Sequence, residues 1–85
     1  NDLTQYAFAA DRENAAVEEY FDDASPVILR LLEIAHDDVP EMPLSLCGEL
    51  AGRTEHMARL VRSGIGTLSV AAPLIPTVKE AIRSV

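Results

Sequence analysis

An α/β domain with parallel strands is what this sequence predicts. Three observations carry that expectation: apolar stripes at helical spacing alternate with short apolar runs of strand length, most segments are separated by a glycine or proline, and the order runs helix, strand, helix, strand, helix. Strands separated by whole helices are joined by crossovers and therefore lie parallel. Two strands cannot close a sheet on themselves, so the piece is expected to be incomplete alone and to expose strand edges.

The elements follow in order. Residues 3–10 are mixed in character and predict a loop with a helical turn, and residues 14–21 are compatible with a helix. Ser25-Pro26 is a strong helix start, pairing a hydroxyl cap with a proline at the first helical position. The helix it opens carries Val27, Ile28, Leu31, Leu32 and Ala35 as its expected buried stripe and ends at residues 36–38, before Pro40. Residues 43–47 are short and apolar and are followed at once by Gly48, which predicts a buried strand ending in a turn. Thr54 is the expected cap of the next helix, with Met57, Leu60 and Val61 inward and Gly64 as its stop. A second strand is expected at residues 67–71. Pro76 then starts a last helix with Val78, Ala81, Ile82 and Val85 inward. There is no internal repeat or low-complexity tract, and the only linker-like stretch is the charged, proline-containing turn at residues 37–43.

Composition sets independent bounds. With 85 residues, 48% of them hydrophobic and 25% charged, the chain fits one small globular unit. A chain of this size buries only about 60 to 65% of the surface its unfolded form exposes, and its one cysteine cannot staple it. The lone thiol and the lack of a signal-like segment point to a reducing, cytoplasmic setting. Fourteen acidic residues against seven basic ones give a formal charge of -7, which argues against nucleic acid or an anionic membrane surface as partner. No apolar run approaches the roughly 20 residues that a bilayer span requires.

Three blocks bear chemistry: Asn1-Asp2-Leu3-Thr4-Gln5-Tyr6, Asp11-Arg12-Glu13-Asn14, and Leu46-Cys47-Gly48-Glu49-Leu50-Ala51-Gly52. Each sets groups suited to oxyanion chemistry beside a turn. Their order and spacing resemble those of the phosphoenolpyruvate-utilising enzymes, most closely enzyme I, the phosphoenolpyruvate-protein phosphotransferase of the sugar phosphotransferase system. Members of that family carry Thr-Asn-Asp-Leu-Thr-Gln-Tyr, Asp-Arg-x-Asn and Met-Cys-Gly-Glu-Leu-Ala-Gly-Asp. A later Ser-Met-Ser-x-x-x-Ile-Pro-x-Val-Lys segment is echoed in part by residues 69–79. The resemblance covers nearly the whole chain. Pyruvate phosphate dikinase and phosphoenolpyruvate synthase share much of the pattern, and Tyr6 with the Leu-Ala-Gly after Glu49 tilts the match toward enzyme I.

The resemblance implies the C-terminal portion of a (β/α)8 TIM barrel, with residues 1–85 as a C-terminal fragment of the phosphoenolpyruvate-binding domain. The chain opens on Asn rather than Met, and in the family the matching pair follows a strand that precedes it, so a longer polypeptide is expected. The resemblance also implies roles for single residues. Asn1, Asp2 and Arg12 would bind substrate, with Asp2 also a ligand of Mg2+, a hard cation that takes one or two carboxylates and fills its octahedron with substrate oxygens and water. Arg12 can grip a phosphate with two parallel hydrogen bonds. Cys47 would be the general acid that protonates the enolate carbon as pyruvate forms, because a thiol holds its proton at neutral pH and can hand it on. The implied partners are phosphoenolpyruvate and pyruvate, a phosphocarrier protein reached through domains outside this stretch, and a second copy of the chain in a homodimer.

Other residues read more plainly. Glu49 is expected to be a structural hydrogen-bond acceptor, and Gln5 and Asn14 have no assigned step. His36 and His56 are expected to be surface residues, since the family's phospho-accepting histidine lies in a separate domain. No metal-binding His or Cys spacing, Walker loop or nucleotide fingerprint is present. Arg53 stands where the family often has Asp, Glu13 where Gly is common, and Gly66-Thr67 where an acidic pair precedes the last strand. A competing expectation is that these 85 residues, lacking a second metal carboxylate and a phospho-acceptor, form a non-catalytic oligomerisation or binding piece.

Overall fold

A computed structural model describes residues 1–85. The chain begins with α1 (Asp2–Phe8) and a 3-10 helix at Ala15–Tyr20, followed by α2 (Pro26–Asp38) and β1 (Leu44–Leu46). Two 3-10 turns, Glu49–Gly52 and Thr54–His56, lead into α3 (Met57–Arg62) and β2 (Ile65–Leu68), and a third, Ala72–Leu74, leads into α4 (Ile75–Arg83). β1 and β2 pair in parallel, which makes the class α/β.

α2 forms where its signals lie. Ser25 Oγ accepts the Val27 N–H at 3.1 Å, and Pro26 occupies the first turn, where its missing donor costs nothing. Its buried residues are Ile28, Leu29 and Leu32, whereas Val27 is 51% exposed and Ala35 is exposed. The expected stripe is thus rotated about the helix axis: Leu29 faces the core in place of Val27. Ile28, Leu29 and Leu32 pack with Leu50, Leu60 and Ile65, and Leu44, Leu46 and Leu68 of the sheet close over them.

The sheet is therefore covered on one face only. Ser45, Gly66 and Thr67 are exposed on the other, so β1 is a half-buried strand and not the fully buried one its sequence suggests. Leu44 pairs with Ile65 and Ser45 with Thr67, which leaves Gly66 as the extra residue of a bulge. β2 also begins two residues earlier than expected, because Gly64 ends α3 at φ 92° and the chain extends immediately. Val70 and Ala71, expected in the strand, lie in the loop after it, although the Ser69 N–H still donates to Leu46 O at 2.8 Å.

The remaining departures lie in α1, α3 and α4. α1 is a seven-residue helix where a loop with a helical turn was expected. It buries Thr4 and leaves Tyr6 87% exposed, so it shows no apolar period to read. Thr54 makes no side-chain cap; it opens a 3-10 turn, and α3 proper starts at Met57. Met57 and Leu60 are fully buried, but Val61 is exposed. On α4 only Val78 is buried, Ala81 is half-buried, and Ile82 and Val85 are 41% and 54% exposed. No helix is long and apolar enough to cross a membrane.

Candidate functional site

Parallel strands end on the same side, and that side is where the polar residues gather. Cys47 follows β1 directly, and Ser69 follows β2. Asn1 reaches this rim from the start of the chain, and the contact that holds it there is with Gly48. Gly48 sits at φ 95°, and a Cβ added to it would stand 3.2 Å from the Asn1 backbone nitrogen and 3.3 Å from Asn1 Oδ1. Only a residue without a side chain allows both that backbone angle and that approach.

Asp2 is the first residue of α1, where its negative charge complements the helix dipole. Arg12 sits in a turn built by its neighbours. Asp11 Oδ1 accepts the Glu13 N–H at 2.9 Å, the Asn14 N–H donates to Asp11 O, and Asn14 Oδ1 caps the following 3-10 helix by accepting the Ala16 N–H at 3.0 Å. Asp11 and Asn14 are thus the frame of the turn, and Arg12 projects from it. A depression of about 560 Å³ is lined by Asn1, Asp2, Arg12 and Cys47, over a floor that includes Leu32 and Leu46. Its size falls in the range of small-molecule sites. All four residues singled out in the sequence are therefore brought together, and the Cys47 thiol is exposed.

Two further depressions adjoin it. Cys47 also borders a hollow of about 330 Å³ with Gly48, Glu49, Ser69 and Val70. Arg12 and Glu49 border a third, where Arg53 pairs with Asp23 at 3.0 Å. Asp23 is buried, so Arg53 neutralises a carboxylate that would otherwise be costly to hide. The family's usual Asp at that place would repel it.

Two side chains without an assigned step touch the site residues. Glu49 lies beside Asn1: its own backbone N–H and then the Asn1 amide hold its carboxyl below the usual range, with Arg12 adding to the effect. Gln5 accepts the Arg12 N–H on Oε1 at 3.2 Å and points Nε2 at Asp2 Oδ1, 3.5 Å away. Its position inside the first sequence block was the available signal. The histidines are elsewhere and are not surface residues as expected: both are half-buried, and the His36 ring lies against Gly64 with Nδ1 buried and unpartnered.

No three His, Cys, Asp or Glu side chains cluster as a metal cage. The depression shared with Arg12 and Cys47 is lined by one carboxylate, Asp2, near the Asn1 amide oxygen, which is buried without a hydrogen-bond partner. A donor set of hard oxygens with a single carboxylate fits magnesium, which draws its other ligands from substrate and water, and does not fit a thiolate- or imidazole-seeking metal.

Comparison with known proteins adds an independent line. Residues 1–85 match the family model described as PEP-utilising enzyme, PEP-binding domain, where PEP is phosphoenolpyruvate. The chain is 41% identical over 81 residues to multiphosphoryl transfer protein 2 of Escherichia coli, covering 93% of this chain and 10% of that protein. It is 36% identical over 84 residues to the phosphoenolpyruvate-protein phosphotransferase of Haloferax volcanii, covering 96% of this chain and 15% of that protein. A phosphoenolpyruvate-dependent phosphotransferase system protein of Salmonella typhimurium is 36% identical over 87 residues, covering 100% of this chain and 12% of its own length. The chain thus spans only 10% to 15% of these relatives.

Proposed function

Because this chain belongs to the PEP-utilising enzymes and matches their PEP-binding domain throughout, we propose that it supplies part of the substrate site of an enzyme I-like phosphoenolpyruvate-protein phosphotransferase. The observation that carries this reading is that one depression is shared by Asn1, Asp2, Arg12 and Cys47. Relatives named as a phosphoenolpyruvate-protein phosphotransferase and a phosphoenolpyruvate-dependent phosphotransferase system favour it over a pyruvate phosphate dikinase or a phosphoenolpyruvate synthase.

The chemistry divides among these residues. The Arg12 guanidinium donates paired hydrogen bonds to phosphoryl oxygens, and the Asn1 amide donates to an oxygen of the same ligand. Asp2 would hold magnesium, which when bound supplies positive charge against the phosphoryl oxygens. As the phosphoryl group leaves for a histidine elsewhere in the longer protein, the P–O ester bond breaks and its electron pair stays on the enol oxygen. Cys47 then gives its proton to the methylene carbon, the enolate becomes pyruvate, and the thiolate regains a proton from water. An exposed thiol can be recharged in that way.

The architecture supports the same reading. The parallel pair with helices on one face suits the C-terminal portion of a (β/α)8 barrel, in which the bare face bearing Ser45 and Thr67 would turn toward the barrel interior. The rim where strands end is where such barrels hold their chemistry. A phosphocarrier protein as acceptor, a role in sugar transport, a cytoplasmic location and a homodimer belong to this proposal through the family resemblance. With no cluster of three metal-ligating side chains and no phospho-accepting histidine at the site, the 85 residues alone are expected to be inactive.

Calorimetric titration of the intact protein with phosphoenolpyruvate and magnesium tests the site. Saturable binding that is lost in Asp2→Ala and weakened in Arg12→Met is the expected result. Unchanged binding in both variants would sink the proposal.

A further inference from the structure

Gln5 touches both sides of the proposed site without any part in its chemistry. It follows Asp2 by one turn of α1, a spacing that sets the two side chains next to each other on the helix surface. Its Nε2 donates to Asp2 Oδ1 across a long 3.5 Å contact, and its Oε1 accepts the Arg12 backbone N–H at 3.2 Å. The chain is folded back to make this possible. Ala9 takes a left-handed conformation at φ 52°, the Ala10 N–H donates to Gln5 O, and Arg12 returns over the helix that it has just left.

Only an amide serves both contacts at once. A carboxylate at position 5 would accept from Arg12 yet repel Asp2, and an apolar side chain would serve neither. Resting on the reading above, in which Asp2 holds magnesium and Arg12 the phosphoryl group, we propose that Gln5 is a positioning residue that fixes the Asp2 carboxylate and the Arg12 turn as one unit, so that it sets the affinity for cation and for substrate together. Partners that orient a metal-binding carboxylate commonly matter at this level.

The test uses the intact protein, with Mn2+ as a spectroscopic probe for the cation, free Mn2+ read by electron paramagnetic resonance, and the KM for phosphoenolpyruvate measured alongside. Gln5→Met keeps the length of the side chain and removes both contacts. Its Mn2+ dissociation constant and its KM should each rise about 10-fold, with the melting temperature held within about 2 °C. Gln5→Glu keeps the acceptor for Arg12 and sets a second carboxylate beside Asp2. In that variant the KM should stay nearer the parent's while Mn2+ affinity moves away from it, a split that a general loss of structure does not produce. Both constants within twofold of the parent in Gln5→Met would overturn the inference. If Gln5→Met does not fold, a parallel change of the two constants in Gln5→Glu does the same. Asp2→Ala separates the two levels: if it loses Mn2+ while Gln5→Met does not, the positioning role alone falls, and if it keeps Mn2+, the reading of the site falls with it.

Discussion

Gly48 lies against Asn1 so closely that a methyl group added to it would stand 3.2 Å from the Asn1 backbone nitrogen. That contact joins the turn after β1 to the start of α1, and it carries Cys47 and Asp2 to one rim. Gly48→Ala must meet both the φ of 95° and the displaced Asn1. The expected cost is about 1–3 kcal/mol of stability, and phosphoenolpyruvate affinity should fall as well. Denaturant unfolding and calorimetric titration of the same variant measure the two effects. Unaltered binding in a destabilised variant would show that Asn1 is not held by this contact.

A second glycine makes a purely structural comparison. Gly64 has φ 92°, and a Cβ there would fall 2.3 Å from the His36 ring, so Gly64→Ala adds a clash to the backbone cost. It should destabilise more than Gly48→Ala, and His36→Ala in the same chain should recover the clash but not the strain. Thermal melting of the single and double variants gives the coupling. Additive effects would mean that the ring moves aside freely.

Much of the candidate site was readable because its groups sit in three short blocks whose order and spacing resemble those of a known family, with Asn1-Asp2 in the first and Cys47-Gly48 in the third. α2 was readable from Ser25-Pro26, a cap signal that acts locally. What was not readable depends on neighbours. The inward face of α2 shifts toward Leu29 because the sheet lies there, and Ile82 and Val85 stay exposed because nothing packs on that side of α4. Glu49 was expected to be a hydrogen-bond acceptor and Gln5 lay inside the first block, but their partners, Asn1 and Arg12, lie 48 and 7 residues away along the chain, and no local pattern encodes them.

Arg53 and Asp23 form the one ion pair with a buried partner. Arg53→Met should therefore destabilise by about 1–3 kcal/mol, since Asp23 is left charged and unpaired at low exposure. Asp23→Asn/Arg53→Met should restore part of the loss. Chemical denaturation checks both, and a neutral Arg53→Met would show that Asp23 reaches water.

Glu33 receives Arg30 at 3.1 Å and Arg59 at 2.8 Å, and it ties α2 to α3. Hydrogen bonds from these two guanidinium groups hold its carboxyl below the ordinary value of 4.5. A depressed carboxylate contributes stability that is complete above its unfolded value and lost as pH falls through the lower folded one. Melting temperature should thus drop more steeply below about pH 4.5 in the parent than in Glu33→Gln, and the difference should shrink in high salt because the pair is exposed. Parallel curves would remove Glu33 from the acid response.

Cys47 offers the sharpest kinetic separation. On the proposed reading, breaking the P–O bond needs no proton at carbon, so Cys47→Ala in the intact protein should form phosphohistidine at close to the parent rate in a single turnover. Conversion of the enolate to pyruvate then loses its proton donor and should slow by about 100-fold or more. Quenched-flow detection of phosphohistidine beside a coupled assay for pyruvate resolves the two steps. Cys47→Ser should behave like Cys47→Ala, because a hydroxyl fills the space of the thiol but is a far weaker acid. Equal slowing of both steps would mean that the thiol shapes the pocket and does not deliver the proton.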